Sequence, residues 1–248
     1  MSSFKVYYIN LDKSKIRRNF MEQQFKELKV PITRFPAIYG KKLPLEFLKK
    51  SKKDFNFFAH YPNLNDGEIG LTKTYFDLWN AMKNQQEEYA IILEDDALLE
   101  ASFFIDLPQI LEEITPNDFV DISGRKGFLK LNKKTFNSLF LIPSLQTTAQ
   151  IIGKNAAETL SKNLTTFYAP IDVLKQDVYK HKVKTYTTNK SYVKSNDKAL
   201  GGTTLQKKGI PKLKKGIREI VRPLWQLISL VTYKLNRGIK NYYFYKKN

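Results

Sequence analysis

The chain has 248 residues, no cysteine and a formal net charge of +18. This length allows one large domain with a substantial core, or one domain with an appendage. The missing thiols exclude disulfides, thiol catalysis and thiolate metal sites. The positive charge favours an acidic partner such as nucleic acid, an anionic membrane or a phosphorylated substrate. Residues 1–5 lead into a strand pattern without an apolar signal segment, so we expect a cytoplasmic protein.

The N-terminal residues predict a strand, a turn and a helix, the usual opening of a nucleotide-binding α/β domain. Residues 4–9 form the strand, and Asp12 is a plausible N-cap for the helix. A second strand is predicted over residues 32–38, broken by Pro36. The helix between these two strands is predicted from the helical spacing of Ile16, Phe20, Gln24 and Leu28.

Residues 45–66 show no regular pattern, and residues 67–86 predict a helix. The helix is indicated by a broad apolar face made of Ile69, Tyr75, Phe76, Trp79 and Met82. A shorter helix is predicted over residues 101–114 and a strand over residues 119–122. Residues 140–142 and 146–152 are strand-like and predict a hairpin, and residues 155–164 return to helix.

The stretch Tyr89–Leu93 is an apolar run that ends in Glu94, Asp95 and Asp96. Such a run predicts a buried strand, and α/β proteins bind ligands at the carboxyl ends of their strands. The mutual repulsion of three adjacent carboxylates must be offset by a cation or a basic partner. Mg²⁺ and Mn²⁺ are the natural candidates because hard cations take carboxylate oxygens. The alternative is that these acids form only the polar N-cap of the next helix.

Asp172 follows Pro170 at the predicted start of a further helix. An acid at this position stabilises a helix through the macrodipole. It is also available for acid–base work, so both roles stay open.

The composition changes after residue 194, where a polar stretch with several glycines predicts a linker over residues 196–216. Residues 207–248 contain twelve basic residues and one acid, which places +11 of the total charge in this tail. Its apolar centre, residues 224–233, is too short to span a bilayer, which needs about 20 residues. An apolar centre with basic and aromatic flanks suits an anionic membrane interface. The alternative is a C-terminal helix packed on the core.

The acidic stretch resembles the metal-binding motif of nucleotide-sugar glycosyltransferases. Five other short pieces accompany it in a fixed order, so that the series reads Tyr8-Ile9-Asn10-Leu11 with Arg17-Arg18, Phe35-Pro36-Ala37-Ile38-Tyr39-Gly40, Gly67-Glu68-Ile69-Gly70, Glu94-Asp95-Asp96, Thr148-Ala149 and Pro170-Ile171-Asp172. Through this series, from about Val6 to Asp197, the chain resembles glycosyltransferase family 25, the lipooligosaccharide galactosyltransferase group.

The resemblance implies a GT-A-like α/β domain, a mixed sheet flanked by helices, over residues 1–195. A linker (196–216) and a basic helical appendage (217–248) would follow. It further implies inverting transfer of a hexose, with galactose favoured, from a UDP-sugar to a lipid-linked oligosaccharide of the lipopolysaccharide type. We therefore expect a bacterial enzyme that needs Mn²⁺ or Mg²⁺ and binds the inner face of the cell membrane.

The resemblance also assigns site residues. Asp172 is expected to act as the base, and Glu94, Asp95 and Asp96 to hold the metal, with Asp96 closest to the reaction. The expected donor-binding residues are Asn10, Leu11, Arg17, Ala37, Tyr39, Gly40, Glu68, Lys73, Glu94 and Asp95. Two positions depart from the family pattern: Tyr39 replaces a common acid, and Thr72-Lys73-Thr74-Tyr75 replaces a Ser-His pair.

The second departure leaves a non-catalytic glycan- or lipid-binding relative as an alternative. A metal-dependent nucleic-acid enzyme is a third possibility, because acids and basic charge would suit phosphates. It is disfavoured because the charge lies in one terminal segment and the sequence shows no helix-turn-helix, RRM or zinc pattern. We therefore expect no nucleic-acid partner.

Overall fold

The computed structural model describes residues 3–53, 64–124, 139–141 and 147–202, with five single positions between 221 and 231. The strands are β1 (Phe4–Asn10), β2 (Thr33–Pro36), β3 (Tyr89–Glu94), β4 (Ala97–Leu99), β5 (Asp118–Asp121), β6 (Leu139–Leu141), β7 (Ala149–Gly153), β8 (Lys184–Thr188) and β9 (Val193–Ser195). The helices are α1 (Lys15–Leu28), α2 (Leu45–Lys53), α3 (Asp66–Ala81), α4 (Ser102–Glu113), α5 (Lys154–Asn163), α6 (Ile171–Leu174) and α7 (Val178–His181). The predicted class, a mixed α/β sheet flanked by helices, is confirmed.

The main sheet has seven strands in the order β2-β1-β3-β7-β5-β8-β6. β1 runs parallel to β2 and β3, whereas β7 is antiparallel to β3 and β5. The parallel pairing brings the carboxyl ends of β1 and β3 together, with Ile9 opposite Glu94. A separate two-stranded sheet joins β4 to β9, with Ala97 opposite Ser195. The acidic turn after β3 therefore lies between the main sheet and β9.

The core has two layers because alternate residues of β3 point to opposite faces of the sheet. Ile91 and Leu93 pack in the cluster that contains residues of α1 and α4. Ala90 and Ile92 pack in the cluster that contains residues of α3 and α5. All of Tyr89–Leu93 is buried, as expected for a strand that is covered on both faces.

Helix α1 is present as predicted, but its start and its buried face differ from the prediction. Ser14 rather than Asp12 precedes its first residue. Its buried residues are Arg17, Met21 and Phe25, while Ile16 is 73% exposed. The predicted face is thus shifted by one residue. The reason is that Arg17 points inward to buried acids, which an apolar pattern does not reveal.

Two elements between β2 and β3 differ from the prediction. Residues 45–53 form α2 rather than an irregular segment, and Leu48 packs with Leu64 and Ile69. Residues 54–63 lie outside the described part. Helix α3 ends at Ala81 and is followed by a short 3₁₀ turn. The sequence pattern did not predict α2 because the helix is rich in lysine and few apolar residues mark its buried side.

The predicted hairpin between residues 140–142 and 146–152 is wrong. β6 pairs with β8, and β7 lies between β3 and β5. Strands β8 and β9 were not predicted. These pairings join segments that are far apart in sequence. The local residue pattern of one strand does not indicate which distant strand it pairs with.

The described part of the predicted linker, residues 196–202, is joined by hydrogen bonds to Asp96 and Arg17, and residues 203–216 lie outside the described ranges. In the C-terminal segment, five positions are described as helical: Val221, Leu224, Leu227, Ile228 and Val231. Of these, Leu224, Ile228 and Val231 are exposed. No helix in the described part of the chain is long and apolar enough to cross a membrane.

Candidate active site

A cavity of about 470 Å³ opens at the carboxyl ends of β1 and β3. This is the edge of the sheet at which the sequence predicted ligand binding. Eight predicted site residues line it: Leu11, Arg17, Ala37, Tyr39, Gly40, Glu94, Asp95 and Asp96. Its lining also includes residues that were not predicted, among them Lys13, Lys41, Ser195 and Asp197.

The loop after β2 forms one wall of the cavity and is pressed against the start of α3. A Cβ atom at Gly40 would lie 1.6 Å from the backbone oxygen of Asp66. The backbone N–H of Ala37 donates to the Asn10 carbonyl at 2.9 Å, and that of Ile38 donates to Thr74 Oγ1 at 2.9 Å. This close approach explains why a glycine stands at position 40.

Glu68 supports this wall from behind. Its carboxylate accepts the backbone N–H of Asn65 at 2.8 Å, and its own N–H donates to Asn65 Oδ1 at 2.8 Å. This capping box fixes the start of α3. Glu68 is not part of the cavity lining, so its position favours a structural role over donor contact.

Asp95 is held on both carboxylate oxygens. Asn10 Nδ2 donates to Oδ2 at 2.7 Å, and Arg17 Nη1 donates to Oδ1 at 2.9 Å. Burial raises the pKa of Asp95, and the bonds from Arg17 and Asn10 oppose that rise. Asn10 itself is fully buried, so it positions Asp95 rather than reaching the cavity.

Asp96, the neighbouring acid, is held by the segment that follows β9. Ser195 Oγ donates to Asp96 Oδ2 at 2.6 Å, and the Asn196 N–H donates to the Asp96 carbonyl at 2.8 Å. Asp197 also lines the cavity, with its side chain 32% exposed. Sequence reasoning missed Ser195 and Asp197 because they come about 100 residues after the acidic turn and reach it only through the pairing of β4 with β9.

Glu94 ends β3 and lines the cavity. Burial raises the pKa of its carboxyl to about 7, since a charge there loses solvation, while a hydrogen bond with Thr147 acts in the opposite direction. The negative charges of Asp96 and Asp95 add to the rise, and Lys175 opposes it. Burial therefore favours the neutral form of this carboxyl more than in an exposed glutamate.

Lys175 is a buried cation behind the acidic turn, and it was not predicted. It is 2% exposed, and its Nζ donates to Gln150 Oε1 at 2.7 Å. Burial lowers its pKa to about 8, and the nearby charges of Asp121, Glu94 and Asp172 oppose that shift. A Lys residue buried among three acids offsets part of their charge.

Besides Asn10 and Glu68, two further predicted residues lie outside the cavity lining. Asp172 is half-buried in the first turn of α6, close enough to Lys175 to affect its pKa. Lys73 donates to both carboxylate oxygens of Asp77 at 2.9 Å, one turn further along α3. Neither side chain belongs to the residues that line the cavity.

The departure at residues 72–75 is accommodated in the core. Thr72 and Tyr75 are fully buried, and the Tyr75 hydroxyl donates to the Thr147 carbonyl at 3.0 Å. Burial raises the pKa of Tyr75 well above its ordinary value. The tyrosine therefore serves as a packed hydrogen-bond donor at this position.

The described residues do not fit a metal centre made of the three predicted acids. Among residues 3–53, 64–124 and 147–202, no three His, Asp or Glu side chains converge as metal ligands. Both oxygens of the Asp95 carboxylate accept hydrogen bonds from within the protein. Asp96 and Asp197 fit a different arrangement, since Mg²⁺ is often held by one or two carboxylates together with substrate phosphates. The metal stays a prediction, with Asp96 as its best-placed ligand.

Comparison with known proteins places the chain in a family. The sequence model of glycosyltransferase family 25 (LPS biosynthesis protein) matches residues 3–175. A glycosyltransferase 25 family member of Drosophila melanogaster is 31% identical over 117 residues, which cover 46% of this chain and 19% of that protein. Procollagen galactosyltransferase 1-B of Xenopus laevis is 28% identical over 118 residues, which cover 46% of this chain and 19% of that protein.

A solved glycosyltransferase involved in the glycosylation of the major capsid of PBCV-1 gives a TM-score of 0.37 at 11% identity, over 71% of this chain and 74% of that one. The chain spans less than a fifth of the length of the curated relatives given above. The family match covers well over half of the chain, including the loop after β2, the acidic turn and Lys175. The chain therefore belongs to glycosyltransferase family 25.

Proposed function

We propose that this chain transfers a hexose, with galactose as the first candidate, from a UDP-sugar to a glycan acceptor. The observation that carries the proposal is the cavity at the carboxyl edge of β1 and β3, which combines the acidic turn with exposed lysines. Galactose is favoured because related proteins include procollagen galactosyltransferases of Xenopus laevis and Mus musculus.

The donor would bind across two kinds of surface. Lys13 and Lys41 are exposed at the cavity and suit the diphosphate, while Gly40 allows close approach of the backbone. Tyr39 offers an aromatic face, over which Lys13 Nζ lies at 4.1 Å from the ring centroid. A nucleobase stacking on Tyr39 would take the place of this lysine.

The chemistry would depend on charge at the departing diphosphate. A divalent ion held by Asp96, with Asp197 beside it, would stabilise that charge. Asp96 is oriented for this by its bond from Ser195. Inversion would also need a base for the acceptor hydroxyl, and Asp172 stays the proposed residue for that role.

The test is transfer from a panel of UDP-sugars, with and without Mn²⁺, by the wild type and Asp96→Ala. We expect metal-dependent turnover of one donor and a loss of about 100-fold or more in the variant, as for other groups that stabilise transition-state charge. Glu158→Ala is the matched control, because it removes an exposed pair with Lys162 on α5, outside the cavity lining. Absence of turnover and of UDP binding in the wild type would favour the non-catalytic alternative.

Asp172→Asn separates the base from the metal site. It should lower the turnover rate and leave UDP affinity unchanged, because the base acts on the acceptor and not on the nucleotide. Unchanged turnover in this variant would exclude Asp172 as the base.

We propose that the acceptor is a lipid-linked oligosaccharide and that the protein meets it at the anionic inner face of the cell membrane. Leu224, Ile228 and Val231 are helical positions four and three residues apart, so they share one face, and 45–55% of each is exposed. The surrounding tail carries the +11 charge. The family description also names LPS biosynthesis. Flotation of the full chain with anionic vesicles should be lost in Leu224→Asp/Ile228→Asp, and equal flotation of both proteins would contradict the membrane role.

A further inference from the structure

Arg17 joins three separate parts of the chain beneath the cavity. It is 5% exposed, and its Nη1 donates to Asp95 Oδ1 at 2.9 Å. Its Nη2 donates to Asp197 Oδ1 at 2.5 Å and to the Gly202 carbonyl at 2.7 Å. We call residues 196–202 the strap. One guanidinium group thus connects α1, the acidic turn and both ends of the strap.

The strap is a folded segment and contributes to the cavity. Its Asn196 N–H donates to the Asp96 carbonyl at 2.8 Å, and its Gly202 N–H donates to the Asp197 carbonyl at 2.9 Å. Gly201 and Gly202 have φ values of +89° and +82°, which favour glycine. This backbone turns the Gly202 carbonyl back toward Arg17, while Asp197 stays in the cavity lining.

The bonds of Arg17 define its role. Both terminal nitrogens donate to acceptors within the protein. Nη1 donates one hydrogen bond to the acidic turn, and Nη2 donates two to the strap. These bonds use three of the five N–H groups of the guanidinium and fix both of its terminal nitrogens to the acidic turn and the strap. The geometry therefore favours Arg17 as a support for the cavity over the expected direct phosphate contact.

We propose that Arg17 is a positioning residue for donor binding, which latches the strap to the acidic turn so that the strap forms one wall of the donor cavity. The donor part of this inference rests on the proposed function. The latch itself does not, because it concerns only contacts within the chain.

Limited trypsin digestion of the full chain tests the latch. Lys198 is exposed in the middle of the strap. Asp197→Ala removes one Arg17 bond and leaves the Asp95 bond intact, so we expect cleavage after Lys198 to become about tenfold faster or more, as loss of a charge-assisted hydrogen bond implies. Cleavage after Lys194 is the internal control, since β9 is held by its pairing with β4. Equal cleavage after Lys198 in wild type and variant would overturn the latch.

Calorimetric titration with UDP and Mn²⁺ tests the donor part on the same proteins. Asp197→Ala should weaken UDP binding about tenfold or more, whereas Asp197→Asn keeps an acceptor oxygen for Arg17 and should recover much of the affinity and the slow cleavage. Glu158→Ala should match the wild type in both measurements. Faster cleavage with unchanged UDP affinity would overturn the positioning role. Weaker binding with unchanged cleavage would instead make Asp197 a direct ligand of the donor and overturn the latch.

The two proposals fail in distinguishable ways. If the wild type binds no UDP, the proposed function and the donor part both fail, while cleavage after Lys198 still decides whether the latch exists. If the wild type binds UDP and transfers sugar but the Asp197 variants match it in both measurements, the latch and the positioning role of Arg17 both fail and the proposed function stands.

Discussion

Two regions form the cavity, and they are built in different ways. The acid wall consists of Glu94, Asp95, Asp96, Ser195 and Asp197, and the loop wall consists of residues 37–41. The acid wall is held by side-chain hydrogen bonds between segments far apart in sequence, chiefly those of Arg17. The loop wall is held by close backbone packing on α3. Removing a charged partner should therefore disrupt the acid wall, whereas adding a side-chain atom that clashes should disrupt the loop wall.

The acid wall also contains a smaller contrast between neighbours. Both oxygens of Asp95 accept hydrogen bonds from protein donors, whereas the Asp96 carboxylate accepts one from Ser195 within the part of the chain that the structure describes. Adjacent acids of one motif are thus held differently: Asp95 is fixed on both oxygens, and Asp96 is the acid that we propose to meet a ligand. The following changes test these contrasts, from the largest expected effect to the smallest.

Asp95→Ala should give the largest loss of stability. It leaves the buried Arg17 without one of its two carboxylate partners, and breaking a buried ion pair costs about 3 kcal/mol of unfolding free energy. Urea unfolding measures this loss. Asp96→Ala is the matched comparison and should lose activity with a much smaller change in stability. Equal destabilisation by the two changes would contradict the division of roles.

Gly40→Ala should disrupt the loop wall. The added methyl group would meet the Asp66 backbone oxygen at 1.6 Å, so the loop must move, at a cost of about 2 kcal/mol. Thermal unfolding and UDP titration should both register the shift. If UDP affinity stayed at the wild-type level, the loop wall would not be part of the donor site.

Tyr39→Ala should weaken UDP binding about tenfold, the size expected for loss of one base–aromatic contact. Stability should change little because the side chain is only half-buried. Tyr39→Phe keeps the ring and serves as the control, with affinity close to that of the wild type. If the Phe variant bound as weakly as the Ala variant, the hydroxyl rather than the ring face would make the contact.

Lys73→Ala should have the smallest effect. Its partner Asp77 is exposed on the same helix, and such pairs contribute less than about 0.5 kcal/mol. Since Lys73 is absent from the cavity lining, UDP affinity should also stay unchanged. A marked loss of UDP affinity would restore the sequence-based expectation of donor contact.

The two walls also differ in how far the sequence predicts them. The strand Tyr89–Leu93 and the acids after it follow from a local apolar run and its boundary, and the structure places them at the expected edge of the sheet. The roles of Arg17 and Asp197 do not follow, because their bond joins residues 180 positions apart. The burial of Lys175 was not predicted for a related reason, because tertiary packing and not local sequence determines whether a lysine is buried. The local pattern thus predicted the edge of the sheet at which the acids and the cavity lie, and long-range contacts determine how each acid is held there.

The measurement that tests the central claim most directly is calorimetric titration of UDP into the wild type and Asp96→Asn, each with and without Mn²⁺. If Asp96 presents a cation to the donor diphosphate, Mn²⁺ should strengthen UDP binding in the wild type by about tenfold or more and have little effect in the variant. Asp95→Asn, compared under conditions where it is fully folded, should keep the Mn²⁺ effect. An equal Mn²⁺ effect in wild type and Asp96→Asn would contradict the role assigned to Asp96.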